Sequence, residues 1–138
     1  VASFWSDALL VLIAERRSDG AHLGYLSATR ADFRNGHCYV SVFIVGRFQR
    51  TVYAAESAVL FMAHIMRLFP FRKLYFEIPE FNATQVNHAI QSVGTVEGRL
   101  LEYEYCDGRF WDSLIVSVGR SEIETVLGPL VQQSAAPG

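Results

Sequence analysis

The sequence predicts a single domain of mixed α and β structure, a mainly antiparallel sheet with two helices packed on it. Three observations carry that reading. Six stretches are continuously apolar or rich in β-branched and aromatic residues, and turn signals bound them. Two other stretches, 53–69 and 83–93, carry apolar residues at helical spacing. The chain has 138 residues, of which 51% are hydrophobic and 19% charged, a composition that suits one buried core and excludes overall disorder.

Ala8–Glu15 (ALLVLIAE) is an uninterrupted apolar run closed by Arg16, Arg17, Ser18, Asp19 and Gly20, so it reads as a buried strand followed by a turn. Residues 22–29 are the returning strand of that hairpin. Residues 30–36 form a polar loop with an Asn35–Gly36 turn signal. The third strand is 37–45 (HCYVSVFIV). The period then changes: Ala55, Ala58, Val59, Met62, Ile65, Met66 and Phe69 mark one face of a helix that Pro70 stops. A short strand, 73–78, ends at Pro79. The second helix has Asn82 as its expected N-cap and Gly94 as its end. Residues 99–106 and 110–118 are strands joined by Asp107–Gly108, a two-residue hairpin turn. Residues 121–131 suit a short helix, and 132–138 a flexible tail. The strand–helix–strand order through Gly46 predicts that the third and fourth strands separate, leaving a cleft beside 73–78.

The formal net charge of −2 offers nucleic acid no basic surface, so no nucleic-acid partner is expected. The longest apolar run is too short to span a bilayer, so no membrane partner is expected either. Cys38 and Cys106 supply neither metal-ligand spacing nor a disulfide framework, which points to a reducing, cytoplasmic setting and to no metal. His22, His37, His64 and His88 fall on four different elements. The chain has no G-x-S-x-G elbow, no H-E-x-x-H pair and no Walker loop. Glu102 and Glu104 share one face of a strand by the two-residue repeat, as a solvated face or as working carboxylates, and Tyr103 and Tyr105 share the other.

The segment 96–112 (VEGRLLEYEYCDGRFWD) resembles the C-terminal signature of the GNAT acetyltransferase superfamily, and most of all its RimJ/RimL-like branch. Glu97–Gly98, Asp107–Gly108–Arg109, Asp112, Ser117, Arg120 and Glu122 carry the resemblance. Asn82, fifteen residues before Glu97, matches the branch's helix-opening Asn, and 54–58 (AAESA) resembles the opening of its cofactor-side helix. The resemblance implies a GNAT-like fold over 1–131, an α+β (α/β) domain whose mostly antiparallel mixed sheet is splayed in the middle. It implies an acyl-CoA-dependent N-acyltransferase that moves an acetyl group from acetyl-CoA, or another acyl-CoA, to a primary amine of a protein or small molecule. The pantetheine arm would pair with the edge of Phe43, Ile44 and Val45. The pyrophosphate would sit at the mouth of the 53–69 helix, near Arg47, Gln49, Arg50, Thr51, Val52 and Tyr53, with Asn82 and Gln85 on the far wall. Glu104 matches the strand glutamate that takes a proton from the acceptor ammonium.

Three departures accompany the match. The family's phosphate loop reads Q/R-x-x-G-x-G/A, whereas Arg47-Phe48-Gln49-Arg50-Thr51-Val52 puts Arg50 and Val52 at the two small positions. The branch's thiolate-protonating Ser/Thr position is Gln85, which donates no useful proton, and Thr84 beside it points elsewhere on a helix. Only seven residues precede the first strand, so the usual opening strand and two helices are lacking, and a longer chain or a homo-oligomer is expected to supply that wall. An interface using the first strand and 110–118 follows. The other function these departures allow is a catalytically silent GNAT-like binding or regulatory module.

Overall fold

A computed structural model of the chain describes residues 7–82 and 84–127. The described elements run β1 (Ala8–Glu15), β2 (His22–Asp32), β3 (His37–Ile44), a 3₁₀ turn (Gly46–Phe48), α1 (Val52–Leu68), β4 (Lys73–Pro79), α2 (Gln85–Val93), β5 (Thr95–Cys106) and β6 (Arg109–Gly119). A helical turn, Arg120–Glu122, leads into a wider one, Ile123–Leu127. The expected helix over 121–131 is thus described only to Leu127. Residue 83 and the expected tail lie outside the described residues.

The strands form one six-stranded sheet in the order β1-β2-β3-β4-β6-β5. Every contact is antiparallel except β3–β4. The β5–β6 turn is built as its sequence requires: Asp107 at φ 50° and Gly108 at φ 79° both take the left-handed conformation that two-residue hairpins need. Both helices pack on one face of the sheet. There Leu26, Val40, Ile44, Leu74, Phe76 and Val116 meet Ala58, Phe61, Met62 and Ile65 of α1 and Ile90 of α2. Cys38 is buried in the same core.

One side chain fastens the end of α1. Arg120, at the end of β6, donates to the carbonyls of Met66 (2.8 Å), Phe69 (2.6 Å) and Phe71 (2.7 Å). The last carbonyls of a helix have no partners inside it, and a guanidinium with five donors fits them well.

The parallel contact is short. His37 pairs with Lys73, Cys38 with Leu74 and Tyr39 with Tyr75, and the two strands then part. The expected splay and the cleft beside β4 are therefore present. The base of the contact is clasped by the Gly36 carbonyl, which accepts from Arg72 N–H at 2.7 Å. Arg72 also donates to the Asn35 carbonyl through Nε and an amino group.

β5 starts four residues earlier than expected, and its alternation is broken. Leu100 faces Ser113, but Glu104 faces Trp111, so three residues of β5 lie opposite Asp112 alone. Glu102 takes φ 48°, and its N–H donates to Asp112 Oδ1 at 2.8 Å. The simple two-residue repeat that put Glu102 and Glu104 on one face does not hold across this bulge. The second oxygen of Asp112 accepts from Arg99 at 3.1 Å, and Arg99 also pairs with Glu80. The Glu102 N–H, then the Arg99 guanidinium, hold the Asp112 carboxyl below its ordinary value of 3.8. β6 is interior, paired to β4 on one side and β5 on the other. Its strand edge is therefore taken up on both sides.

Two predictions follow from the sheet. A Cβ at Gly24 would stand 1.9 Å from the Phe43 carbonyl oxygen, at a φ of +153°. Gly24→Ala is expected to lose roughly 2–4 kcal/mol in denaturant unfolding, because backbone must move to accept it. For Asp112, a depressed carboxyl pKa contributes stability that is present above the unfolded-state value and lost as pH falls through the folded one. Asp112→Asn should lower Tm at neutral pH, and the gap from the parent should close as pH falls below 3.8 and through the lowered folded-state value. A gap that is independent of pH would show that the charge of Asp112 is irrelevant.

Candidate active site

Where β3 and β4 part, a cleft of about 230 Å³ opens. Val42, Phe43 and Ile44 form one wall. Gln49 and Ala54 close the α1 end, and Phe81, Asn82, Thr84, Val86 and Asn87 form the wall toward α2. The polarity of the β3 wall follows from the ladder. Val45 N–H donates to the Leu23 carbonyl at 2.8 Å, across to β2. Antiparallel pairing alternates, so the backbone groups of Phe43 also face β2, and those of Val42 and Ile44 face the cleft. The Ile44 carbonyl accepts from Gln49 Nε2 at 3.3 Å. The cleft edge therefore offers the N–H groups of Val42 and Ile44 and the carbonyl of Val42. The Phe43 ring stacks on Tyr25, 5.2 Å away.

The mouth of α1 adjoins this edge. Thr51, at the N-cap position, makes no side-chain cap; its hydroxyl donates to the Phe48 carbonyl at 2.7 Å instead. The first N–H groups of a 17-residue helix are thus left without a side-chain cap, and the helix dipole favours an anion in front of them. Arg50 is exposed there, and Val52 stands 76% exposed at the first helical position. Arg47 lies over the Phe48 ring at 4.7 Å. Tyr53 turns toward the β1–β2 hairpin, where the Arg16 guanidinium sits 5.5 Å from its ring.

Of the residues expected to hold an acyl-CoA, the structure brings Phe43, Ile44, Gln49 and Asn82 into one cleft. Arg47, Arg50, Thr51 and Val52 lie on the adjoining loop and helix mouth. Val45 spends its N–H on β2, and Tyr53 lies on the hairpin side. The side chain of Gln85 lies outside the described residues.

The α2 end differs most from expectation. Thr84, not Asn82, caps the helix: its Oγ1 accepts from Asn87 N–H at 3.1 Å. Asn82 is held by its carbonyl instead, which accepts from Asn87 Nδ2 at 2.7 Å. This puts the Thr84 hydroxyl in the cleft wall, where one lone pair is taken by the helix and the proton is free to point outward. The sequence held a signal for it, since Thr is also among the favoured caps and the apolar repeat begins at Val86. Glu104 is half-buried and lies across the β5–β6 ladder from Trp111, whose ring meets Phe81 edge-on at 6.0 Å. Phe81 in turn lines the cleft, so Glu104 stands behind an aromatic pair at the cleft's end.

The other signature residues brace this arrangement. Glu97 accepts from Lys73 Nζ at 2.9 Å and from the Tyr75 hydroxyl at 3.3 Å. Hydrogen bonding by Ser117, then by Lys73, holds its carboxyl below the ordinary range. These contacts tie β5 and β6 to the base of β4. Among the described residues no cluster of His, Cys, Asp or Glu is arranged to hold a metal ion.

No protein-family model matches the chain, and no curated protein sequence does. Solved structures do match. A mutant of the spermidine N-acetyltransferase SpeG from Vibrio cholerae superposes with a TM-score of 0.73 at 14% identity, over 84% of this chain and 68% of that one. A GCN5-related N-acetyltransferase from Brucella melitensis gives 0.73 at 23% identity, over 93% of this chain and 58% of its own. RimL, a ribosomal L7/L12 alpha-N-protein acetyltransferase, gives 0.61 at 21% identity over 72% and 63%. By these likenesses the chain has the fold of the GCN5-related, or GNAT, N-acetyltransferases.

Proposed function

We propose that the chain is an acyl-CoA-dependent N-acyltransferase of RimJ/RimL-like type, transferring an acetyl group to a primary amine. The observation that carries this is the pairing of one unused strand edge with one uncapped helix mouth in a single cleft. An extended amide-bearing arm suits the N–H groups of Val42 and Ile44, and a pyrophosphate suits the mouth of α1. The bound acyl-CoA supplies an activated thioester. The protein's part is to hold the acceptor against it, to take the ammonium proton at Glu104 directly or through a water, and to relay a proton to the leaving sulfur through the Thr84 hydroxyl, which regains one from the nitrogen as the amide forms and the C–S bond breaks. The Thr84 assignment rests on its place in the cleft wall and replaces Gln85 in that role. Two unbonded cysteines, one of them buried, suit a cytoplasmic enzyme.

The test is acetyl transfer from acetyl-CoA to a panel of primary amines, among them a polyamine and a peptide with a free N-terminus. Turnover with at least one amine, reduced by about 100-fold or more in Glu104→Gln, is expected. Binding of acetyl-CoA without turnover on any amine would favour the second reading, a silent binding module, for which the crowded phosphate loop is the specific observation.

Thr84 gives a separable prediction. Thr84→Ala should lose the helix cap, about 1 kcal/mol of stability, and also lower kcat. Thr84→Ser should keep both. If Thr84→Ala keeps full kcat, the hydroxyl only caps α2. The loop gives another. Arg50 is able to pair with phosphate and contributes about 1.5–3 kcal/mol if it does, whereas the branched Val52 side chain crowds the helix mouth. The double change Arg50→Gly with Val52→Gly should bind acetyl-CoA more tightly by calorimetry than the parent or Arg50→Gly alone. Weaker binding by the double variant would make Arg50 a true phosphate ligand.

A further inference from the structure

Two cavities share one side chain. Val86, the second residue of α2, lines the cleft and also lines a pocket of about 50 Å³ between α1 and α2. Every side chain around that pocket is apolar. Val86, Ala89 and Ile90 fall on one face of α2 by their spacing. Opposite them stand Ala55, Ala58 and Met62 of α1, with Val118 of β6 beneath. The small alanines of both helices leave the space, and a pocket without polar groups gives water no partners.

The other apolar walls of the cleft are backed by packed rings. Phe43 stacks on Tyr25 at 5.2 Å, and Phe81 meets Trp111 edge-on at 6.0 Å. Behind Val86 there is room instead. Val86 is buried, and a β-branched side chain in a helix keeps one strongly preferred rotamer, so this wall is thin but stiff.

We infer that Val86 is the residue that holds the acyl group to a short chain, and that the pocket behind it is room for a longer, straight apolar chain. This rests on the cleft holding an acyl-CoA with its sulfur beside Thr84. Thr84 and Val86 stand on the same wall, so the acyl group joined to that sulfur ends against Val86. Val86→Ala removes both γ-methyl groups and joins the two spaces. The 50 Å³ behind it takes a few methylene groups, since one water-sized group needs about 10–15 Å³ of such space. Each methylene moved from water into an apolar site tightens binding about fourfold.

The experiment is calorimetric titration with acetyl-CoA, butyryl-CoA and hexanoyl-CoA, with circular dichroism to establish that each variant is folded. The parent is expected to bind acetyl-CoA about tenfold more tightly than hexanoyl-CoA, because the longer chain has no place to go. Val86→Ala should reverse that order, with hexanoyl-CoA about tenfold the tighter and butyryl-CoA between them. Adding Ala89→Leu to Val86→Ala refills the pocket and should bring back the parent's order, which a general loosening of α2 would not do. A parent that binds hexanoyl-CoA as tightly as acetyl-CoA overturns the inference without any variant. So does a folded Val86→Ala that keeps the parent's order, and so does a double variant that keeps the reversed one. In each of these cases acetyl-CoA is bound and the acyl-CoA reading of the cleft stands. A parent that binds none of the three overturns that reading, and this inference with it.

Discussion

β3 and β4 hold each other through three parallel residue pairs and no more, and the rest of the molecule is arranged around that limit. At the base the contact is strong. The Gly36 carbonyl takes the Arg72 N–H, Arg72 returns two donors to Asn35, and Tyr75 stacks on Tyr39 and meets His37 edge-on. Beyond Tyr39 nothing joins the two strands. The mouth of α1 and the start of α2 occupy the space, through Ala54 and Val86. A parallel pair that opened without such support would leave two rows of backbone donors and acceptors in an apolar setting. Here the open row faces a cleft whose other walls are polar at Gln49, Asn82, Thr84 and Asn87.

Several of the braces that keep the splay in place lie outside the cleft. Arg120 fastens the far end of α1 to the end of β6, so the helix mouth is set by a clamp at the opposite terminus. Glu97 ties β5 and β6 to Lys73 and Tyr75 at the base of β4. Asp112 shapes the β5 bulge by taking the Glu102 N–H, and the bulge decides which way Glu104 faces. The residues of the C-terminal signature are thus mostly braces. Their pattern in the sequence is legible because bracing of this kind needs particular donors and acceptors at fixed ladder positions.

Much of the fold was legible because its signals are local. The Asp107–Gly108 hairpin, the apolar stripe of α1 and the two halves of the β1–β2 hairpin each follow from a few neighbouring residues. What was not legible depends on a partner across the sheet. The run Leu101–Tyr105 reads as a clean alternating strand, and only Asp112, on the next strand, makes Glu102 bulge. Which of Phe43, Ile44 and Val45 faces the cleft is a question of parity. That parity is set by pairing with β2 through an irregular stretch between Thr29 and Asp32. The site was readable as a region and not as a set of atoms for the same reason. Thr84 and Asn82 are both good caps in sequence, and the choice between them rests on the Asn87 N–H.

The free edge of β3, read as a binding edge, has alternate residues in use. Backbone amide chemical shifts, followed by NMR during titration with acetyl-CoA, test it most directly. Large shifts and slowed hydrogen exchange are expected at Val42 and Ile44, with Phe43 and Val45 little changed because β2 already holds them. Shifts of equal size at all four residues, or none at Val42 and Ile44 while acetyl-CoA binds elsewhere, would contradict it.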